Sequence, residues 1–145
     1  MGEKTQHRMK KRTPVSKIMT KNPISVNLSN EVADVVQIFK DHNIHHIPVV
    51  SGDKLIGMIS KTDIDRISFV NSYAMEAASA MVYDILKLEQ VMTANLETVQ
   101  VEDQIKEAAE LLARGRYHAL PVMDGKKLAG IVTSTDVINY LLEQY

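Results

Sequence analysis

Not one cysteine occurs in the 145 residues of this chain. Disulfides, thiol chemistry and thiolate-held metals are excluded at once. The chain also lacks an excess of either charge: 17 basic residues stand against 18 acidic ones, a formal net charge of -1. A dedicated nucleic-acid binder carries a strong basic surplus, so nucleic acid is not an expected partner. No apolar run approaches the roughly 20 residues needed to cross a bilayer. The N-terminus is basic, without the apolar stretch of a secretory signal behind it. These absences lead us to expect a soluble cytoplasmic protein without membrane association. A chain of this length can bury one respectable core, or two small ones packed as a unit.

What the chain does have is a repeat. Shifted by 73 residues, it falls on itself without gaps: Met19-Thr20 on Met92-Thr93, Asn22 on Asn95, Pro48-Val49 on Pro121-Val122, Gly57 on Gly130 and Asp63 on Asp136. An ordered series of this kind marks two copies of one unit. Each copy reads as a short extended piece, a helix, two strands joined through Gly52 or Gly125, and a second helix. In the first helix Ser29 is the expected N-cap, and Val32, Val35, Val36 and Phe39 share one face. Ile105, Ala108, Ala109 and Leu112 repeat that face. The expected organisation is a flexible basic arm over 1–12, a first repeat over 13–70, a linking helix over 71–88 and a second repeat over 89–145. The fold class is α/β, two β-α-β-β-α repeats packed through their sheets with pseudo-twofold symmetry.

Two features invite chemistry. Gly57 and Gly130 sit inside strands, where glycine weakens the strand unless another backbone or a ligand comes close. Ser60 and Thr133 each stand three residues before an aspartate, Asp63 and Asp136. A hydroxyl and a carboxylate at a helix start can hold the vicinal diol of a ribose, with phosphate near the helix N–H groups. The same pattern also suits a plain helix cap near Thr62 or Asp63, and near Thr135 or Asp136.

Histidines cluster ahead of the first hairpin at His42, His45 and His46, but only His118 recurs ahead of the second. No acidic or cysteine ligand shares their spacing, so no metal site is expected. With Arg114 and Arg116 they could meet a polyphosphate, or they are ordinary surface residues. There is no nucleophile elbow, no P-loop and no metal triad, so the chain does not read as an enzyme.

The layout of "IMT", "NP", "HIPVV", "GMIS" and the following aspartate resembles a tandem pair of CBS domains, the regulatory modules named after cystathionine β-synthase. The resemblance runs from about Val15 to Tyr145 and covers nearly everything beyond the basic arm. It implies a non-catalytic module without a cofactor that binds AMP, ADP, ATP or S-adenosylmethionine, forms a homodimer and regulates a protein target in trans. It implies that Asp63 and Asp136 hold ribose hydroxyls, with Ser60 and Thr133 facing ribose or phosphate. The adenine slot would be lined around Ile24, Ile47 and Met58 in one cleft and around Leu120 and Ile131 in the other, with Tyr117 near the rim. His45, His46 and His118 occupy the positions that meet phosphate. Two departures stand out: Glu97 replaces the apolar residue matching Ile24, and Ala119 replaces His46. We therefore expect one good site rather than two. The competing expectation is a structural or protein-interaction module without a working nucleotide site.

Overall fold

Short extended segments alternate with amphipathic helices because the apolar period switches repeatedly along the chain. The computed structural model describes residues 12–70, 83 and 85–145. A single 3-10 turn, Val15–Lys17, precedes β1 (Thr20–Lys21). Then follow β2 (Val26–Asn27), α1 (Val32–Asp41), β3 (His46–Ser51), β4 (Lys54–Ser60) and α2 (Lys61–Val70). After α3 (Leu88–Val91) the order recurs as β5 (Val99–Gln100), α4 (Ile105–Ala113), β6 (Ala119–Asp124), β7 (Lys127–Thr133) and α5 (Ser134–Glu143). The two β-α-β-β-α repeats read from the sequence are present. The linking helix expected over 71–88 lies mostly outside the described residues. Leu86 and Lys87 are not helical, so Leu88 opens a separate short helix.

The chain forms two compact units that do not follow the sequence repeat. A central unit spans Ile24–Leu96, and a flanking unit joins the segment up to Pro23 with Glu97–Tyr145. In the central unit the sheet order is β2-β3-β4; in the flanking unit it is β1-β7-β6-β5. The segment ahead of the first repeat therefore completes the sheet of the second, with Thr20 opposite Ile131 and Lys21 opposite Gly130. The segment ahead of the second repeat does the same for the first. Met58 and Thr93 exchange both backbone hydrogen bonds, at 3.0 and 2.9 Å.

Both hairpins close through a two-residue loop whose glycine has positive φ, 62° at Gly52 and 63° at Gly125. Both carry a register shift at the same place, between Val49 and Val50 and between Val122 and Met123. Pro48 pairs with Met58, whose own backbone groups turn away from β3 to bond Thr93. This is a position without hydrogen bonds across the pair, so the missing proline N–H leaves no gap between β3 and β4. Pro121, opposite Ile131, repeats the arrangement.

Facing pairs share a side of the sheet. Ile47, Val49 and Ile59 lie on the side covered by α1, in one cluster with Val32, Val35 and Phe39. Leu120, Val122 and Val132 do the same with Ala108 and Leu112 of α4. Val15, fully buried, belongs to that second cluster although it comes from the far end of the chain. The cap of α1 is Glu31 rather than the expected Ser29. Asp34 accepts the Glu31 N–H at 2.8 Å, while the N–H of Ser29 is held by the Asn27 side chain in the preceding turn.

Candidate functional site

In each unit the second hairpin strand runs directly into a helix, and the residues at that junction tie themselves together. Ser60 is the cap of α2: its hydroxyl accepts the Asp63 N–H at 3.0 Å, and Asp63 Oδ2 accepts the Ser60 N–H at 2.9 Å. Thr133 and Asp136 repeat the pair at 3.1 and 2.8 Å. Such a reciprocal box satisfies two backbone donors at once. The helices therefore begin at Lys61 and Ser134, earlier than the Thr62 or Asp63 and Thr135 or Asp136 starts expected.

A third bond closes each junction. The His45 carbonyl accepts the Lys61 N–H at 2.8 Å, and the His118 carbonyl accepts the Ser134 N–H at 3.0 Å. Of the first three helix donors, these bonds leave the N–H of Thr62 and of Thr135 unused. The expected phosphate cradle at the helix start is correspondingly small. Each aspartate commits Oδ2 to its cap and retains Oδ1 for another donor. Asp63 Oδ1 lies 3.9 Å from the Arg66 guanidinium, but that arginine side chain is 73% exposed, so the attraction is weakened by solvent. Asn139 takes the equivalent place beside Asp136.

The faces of the sheets sort the remaining residues. Ser60 shares its face with His46 and Met58, because these three and Pro48 form consecutive pairs on one side. Thr133 shares its face with Ala119 and Ile131. Ile47 and Leu120, expected beside them in an apolar slot, are fully buried on the opposite, helix-covered face. The structure does not bring Ile47 together with Met58, nor Leu120 with Ile131. Tyr117, half-buried, packs against the helix-covered cluster. Ile24 is 37% exposed ahead of β2, His45 and His118 are exposed, and Glu97 is half-buried ahead of β5.

The strand glycines have an explanation that the sequence left open between backbone and ligand. A Cβ on Gly57 would lie 2.5 Å from Met92 Sδ and 3.1 Å from the Thr93 carbonyl oxygen. At Gly130 the same atom would meet the Thr20 carbonyl oxygen at 2.6 Å and Met19 Sδ at 2.7 Å. The repeated Met-Thr pairs and the repeated glycines are thus partners, each pair meeting the glycine of the other repeat. The signal was present in the sequence as co-repetition, but nothing in it said which copies would meet. Among the described residues no group of three acidic or histidine side chains could hold a metal ion. No helix among them is long and apolar enough to cross a membrane.

Comparison with known proteins assigns both repeats to one family. The family model described as CBS domain matches residues 15–69 and 88–143. The uncharacterized protein MJ1404 of Methanocaldococcus jannaschii is 29% identical over 148 residues, covering 99% of this chain and 35% of that protein. The chain spans less than half the length of the curated relatives it matches first. Among solved structures, the CBS domain pair of protein MJ0100, in complex with 5'-methylthioadenosine and S-adenosyl-L-methionine, is 27% identical. It superposes with a TM-score of 0.73, covering 92% of this chain and 98% of that one. A CBS-domain protein of Bacillus anthracis reaches a TM-score of 0.79 at 20% identity, covering 96% of this chain and 99% of that one, a likeness of fold alone.

Proposed function

Because the chain belongs to the CBS-domain family in both of its repeats, we propose that it is a regulatory module whose strand-to-helix junctions bind an adenosine-containing ligand. CBS-domain pairs regulate rather than catalyse, and adenosyl compounds are the ligand class of such modules. The observation that carries the reading is the repeated carboxylate at Asp63 and Asp136, held rigidly by its cap through Oδ2 with Oδ1 left over. A ribose diol needs an acceptor fixed in this way. At 27% identity, the pair bound to 5'-methylthioadenosine and S-adenosyl-L-methionine supports the same ligand class.

In this reading Asp63 takes ribose hydroxyls, Ser60, His45 and His46 face ribose or phosphate, and Ile24 and Met58 border the base. Asp136, Thr133, His118 and Ile131 form the weaker counterpart. There Glu97 and Ala119 replace Ile24 and His46, adding a carboxylate and removing an imidazole. A half-buried carboxylate disfavours phosphate, so the Asp63 junction is the principal site for AMP, ADP or ATP. The module works as a homodimer on a protein target, and ligand binding shifts the population between its arrangements.

Titration calorimetry of ligand-free protein with AMP, ADP, ATP, S-adenosylmethionine and 5'-methylthioadenosine tests the reading, repeated on Asp63→Asn and Asp136→Asn. Asparagine keeps a carbonyl oxygen for the cap and removes the charge. Saturable heat that Asp63→Asn abolishes supports the site. Flat titrations of folded protein would leave the boxes as helix caps and make the chain a protein-interaction module.

A further inference from the structure

The chain holds 8 methionines and no cysteine. An oxidant that reaches it meets thioether sulfur, and no thiol competes for it. The methionines among the described residues are of two kinds. Met58 and Met123, on β4 and β6, are buried at 6% and 8% exposure. Met19 and Met92 are only half-buried, and each stands directly ahead of an exposed threonine.

The sulfur of each half-buried methionine lies over a strand glycine. Met92 Sδ is 2.5 Å from the point where a Cβ on Gly57 would begin, and Met19 Sδ is 2.7 Å from that point at Gly130. Met92 also packs against the cluster of Ile47 and Ile59, and Met19 against the cluster of Leu120 and Val132. The backbone beside each sulfur is held by few bonds. Met58 and Thr93 exchange two, at 3.0 and 2.9 Å, and the Asn22 N–H reaches the Ala129 carbonyl at 3.3 Å. Strand β1, next to Asn22, is two residues long and lies at the edge of its sheet.

We propose that Met19 and Met92 are oxidation sites for hydrogen peroxide, and that the sulfoxide lifts each Met-Thr segment off its glycine strand. A sulfur lone pair attacks one peroxide oxygen; the S–O bond forms as the O–O bond breaks. The departing hydroxide takes the proton of the transferred oxygen and leaves as water. Sulfur is oxidised by two electrons, and the peroxide is reduced by two. A sulfur packed on a glycine has no room for another atom on that side. A sulfoxide oxygen in an apolar cluster is costly unless it finds a donor. The oxidised side chain gains by turning to water, and the strand bonds beside it are lost. Gly57 and Gly130 stand three residues ahead of Ser60 and Thr133, so the change falls on the strands that carry both junctions. Peroxide is then an input to the module in its own right, and the inference does not depend on the ligand reading above.

The test treats the full chain with hydrogen peroxide, maps each methionine by peptide mass spectrometry and follows amide exchange by NMR. It uses the native chain, Met19→Leu, Met92→Leu and the double variant, since leucine keeps the volume and removes the sulfur. Met19 and Met92 are expected to oxidise roughly tenfold faster than Met58 and Met123. Exchange should accelerate roughly tenfold at the Met58 and Thr93 amides through Met92, and at the Asn22 amide through Met19. Met92→Leu should abolish the first change and keep the second, and Met19→Leu should do the reverse. Enzymatic reduction of the sulfoxides should restore native exchange, a result that needs no variant to fold. Met19 and Met92 oxidising no faster than Met58 and Met123 would overturn the assignment of the sites. Full oxidation with unchanged exchange, or exchange that reduction does not restore, would overturn the release of the strands. Acceleration that persists in the double variant would place its cause elsewhere and overturn the proposal as well.

Discussion

The Thr20 carbonyl oxygen lies where a side chain at Gly130 would begin, 2.6 Å from the position of a Cβ. The oxygen belongs to a strand paired with β7, so it cannot swing aside as a side chain would. Gly130→Ala should therefore destabilise the protein by about 1–3 kcal/mol, the cost typical of overpacking. Gly57→Ala should be milder, since its shortest clash is with the flexible Met92 side chain and the Thr93 oxygen stands off at 3.1 Å. Urea midpoints of the two variants, compared at equal m-value, check the order.

Removing the hydroxyl of either cap should cost about 1 kcal/mol. Ser60→Ala and Thr133→Ala are expected to fall together, whereas Thr133→Ser should be close to neutral because the serine at position 60 already performs the same task. Thermal unfolding followed by circular dichroism distinguishes these outcomes. Equal stability of Thr133→Ala and Thr133→Ser would count against the reciprocal bond.

Val15→Ala removes methyl groups from a fully buried side chain and should cost roughly 1–3 kcal/mol. The informative part is where the loss appears. Hydrogen exchange should accelerate in β6 and β7, the strands of the second repeat, and leave β3 and β4 protected. Acceleration confined to the first repeat would contradict the crosswise pairing.

The Gln100 side chain grips the second hairpin turn from both sides, accepting the Gly125 N–H at 3.0 Å and donating to the Gly125 carbonyl at 3.4 Å. Gln100→Ala should lower stability by about 0.5–1.5 kcal/mol. In the first repeat Asn27 organises its own loop instead, so Asn27→Ala should loosen the turn ahead of α1 and not the hairpin. Amide exchange at Gly125 and Gly52 reads the difference.

A ligand that occupies the Asp63 junction stabilises the native state by mass action. At a concentration one hundred times its dissociation constant the gain is about 2.7 kcal/mol. The shift in melting temperature with an adenosyl ligand should vanish in Asp63→Asn, while the unliganded melting temperature changes little. A shift retained in Asp63→Asn and lost in Asp136→Asn would move the principal site to the other junction.

How much of this could be read from the sequence varies by feature. The repeat, its β-α-β-β-α order and the hairpin glycines were plain, because short-range turn chemistry and helical period decide them. The faces of β3 and β6 were not, since "HIPVV" and "ALPVM" are continuous apolar runs without alternation. Pairing settles them, and it sends Ile47 and Leu120 to the helix-covered side. The cap of α1 moved from Ser29 to Glu31 because the Asn27 side chain accepts the serine N–H, and Asn30 in turn accepts the Asn27 N–H, which closes a turn ahead of the helix. The boxes at Ser60 and Thr133 were visible as a spacing of three residues. That one carboxylate oxygen is committed to the cap and one is not could only come from the geometry.

The pairing of β1 with β7 also governs how the chain can assemble. Thr20 is made before its partner Ile131, which follows more than one hundred residues later. Closing so long a loop costs about 2–3 kcal/mol more in chain entropy than closing a local hairpin. The central unit lies within one continuous stretch and can fold as it appears. The flanking unit must wait until its second segment, Glu97–Tyr145, has been made, leaving Val15 and Met19 as sticky apolar residues in the interval. Slow, late-closing contacts of this kind set folding rates and expose chains to misassembly.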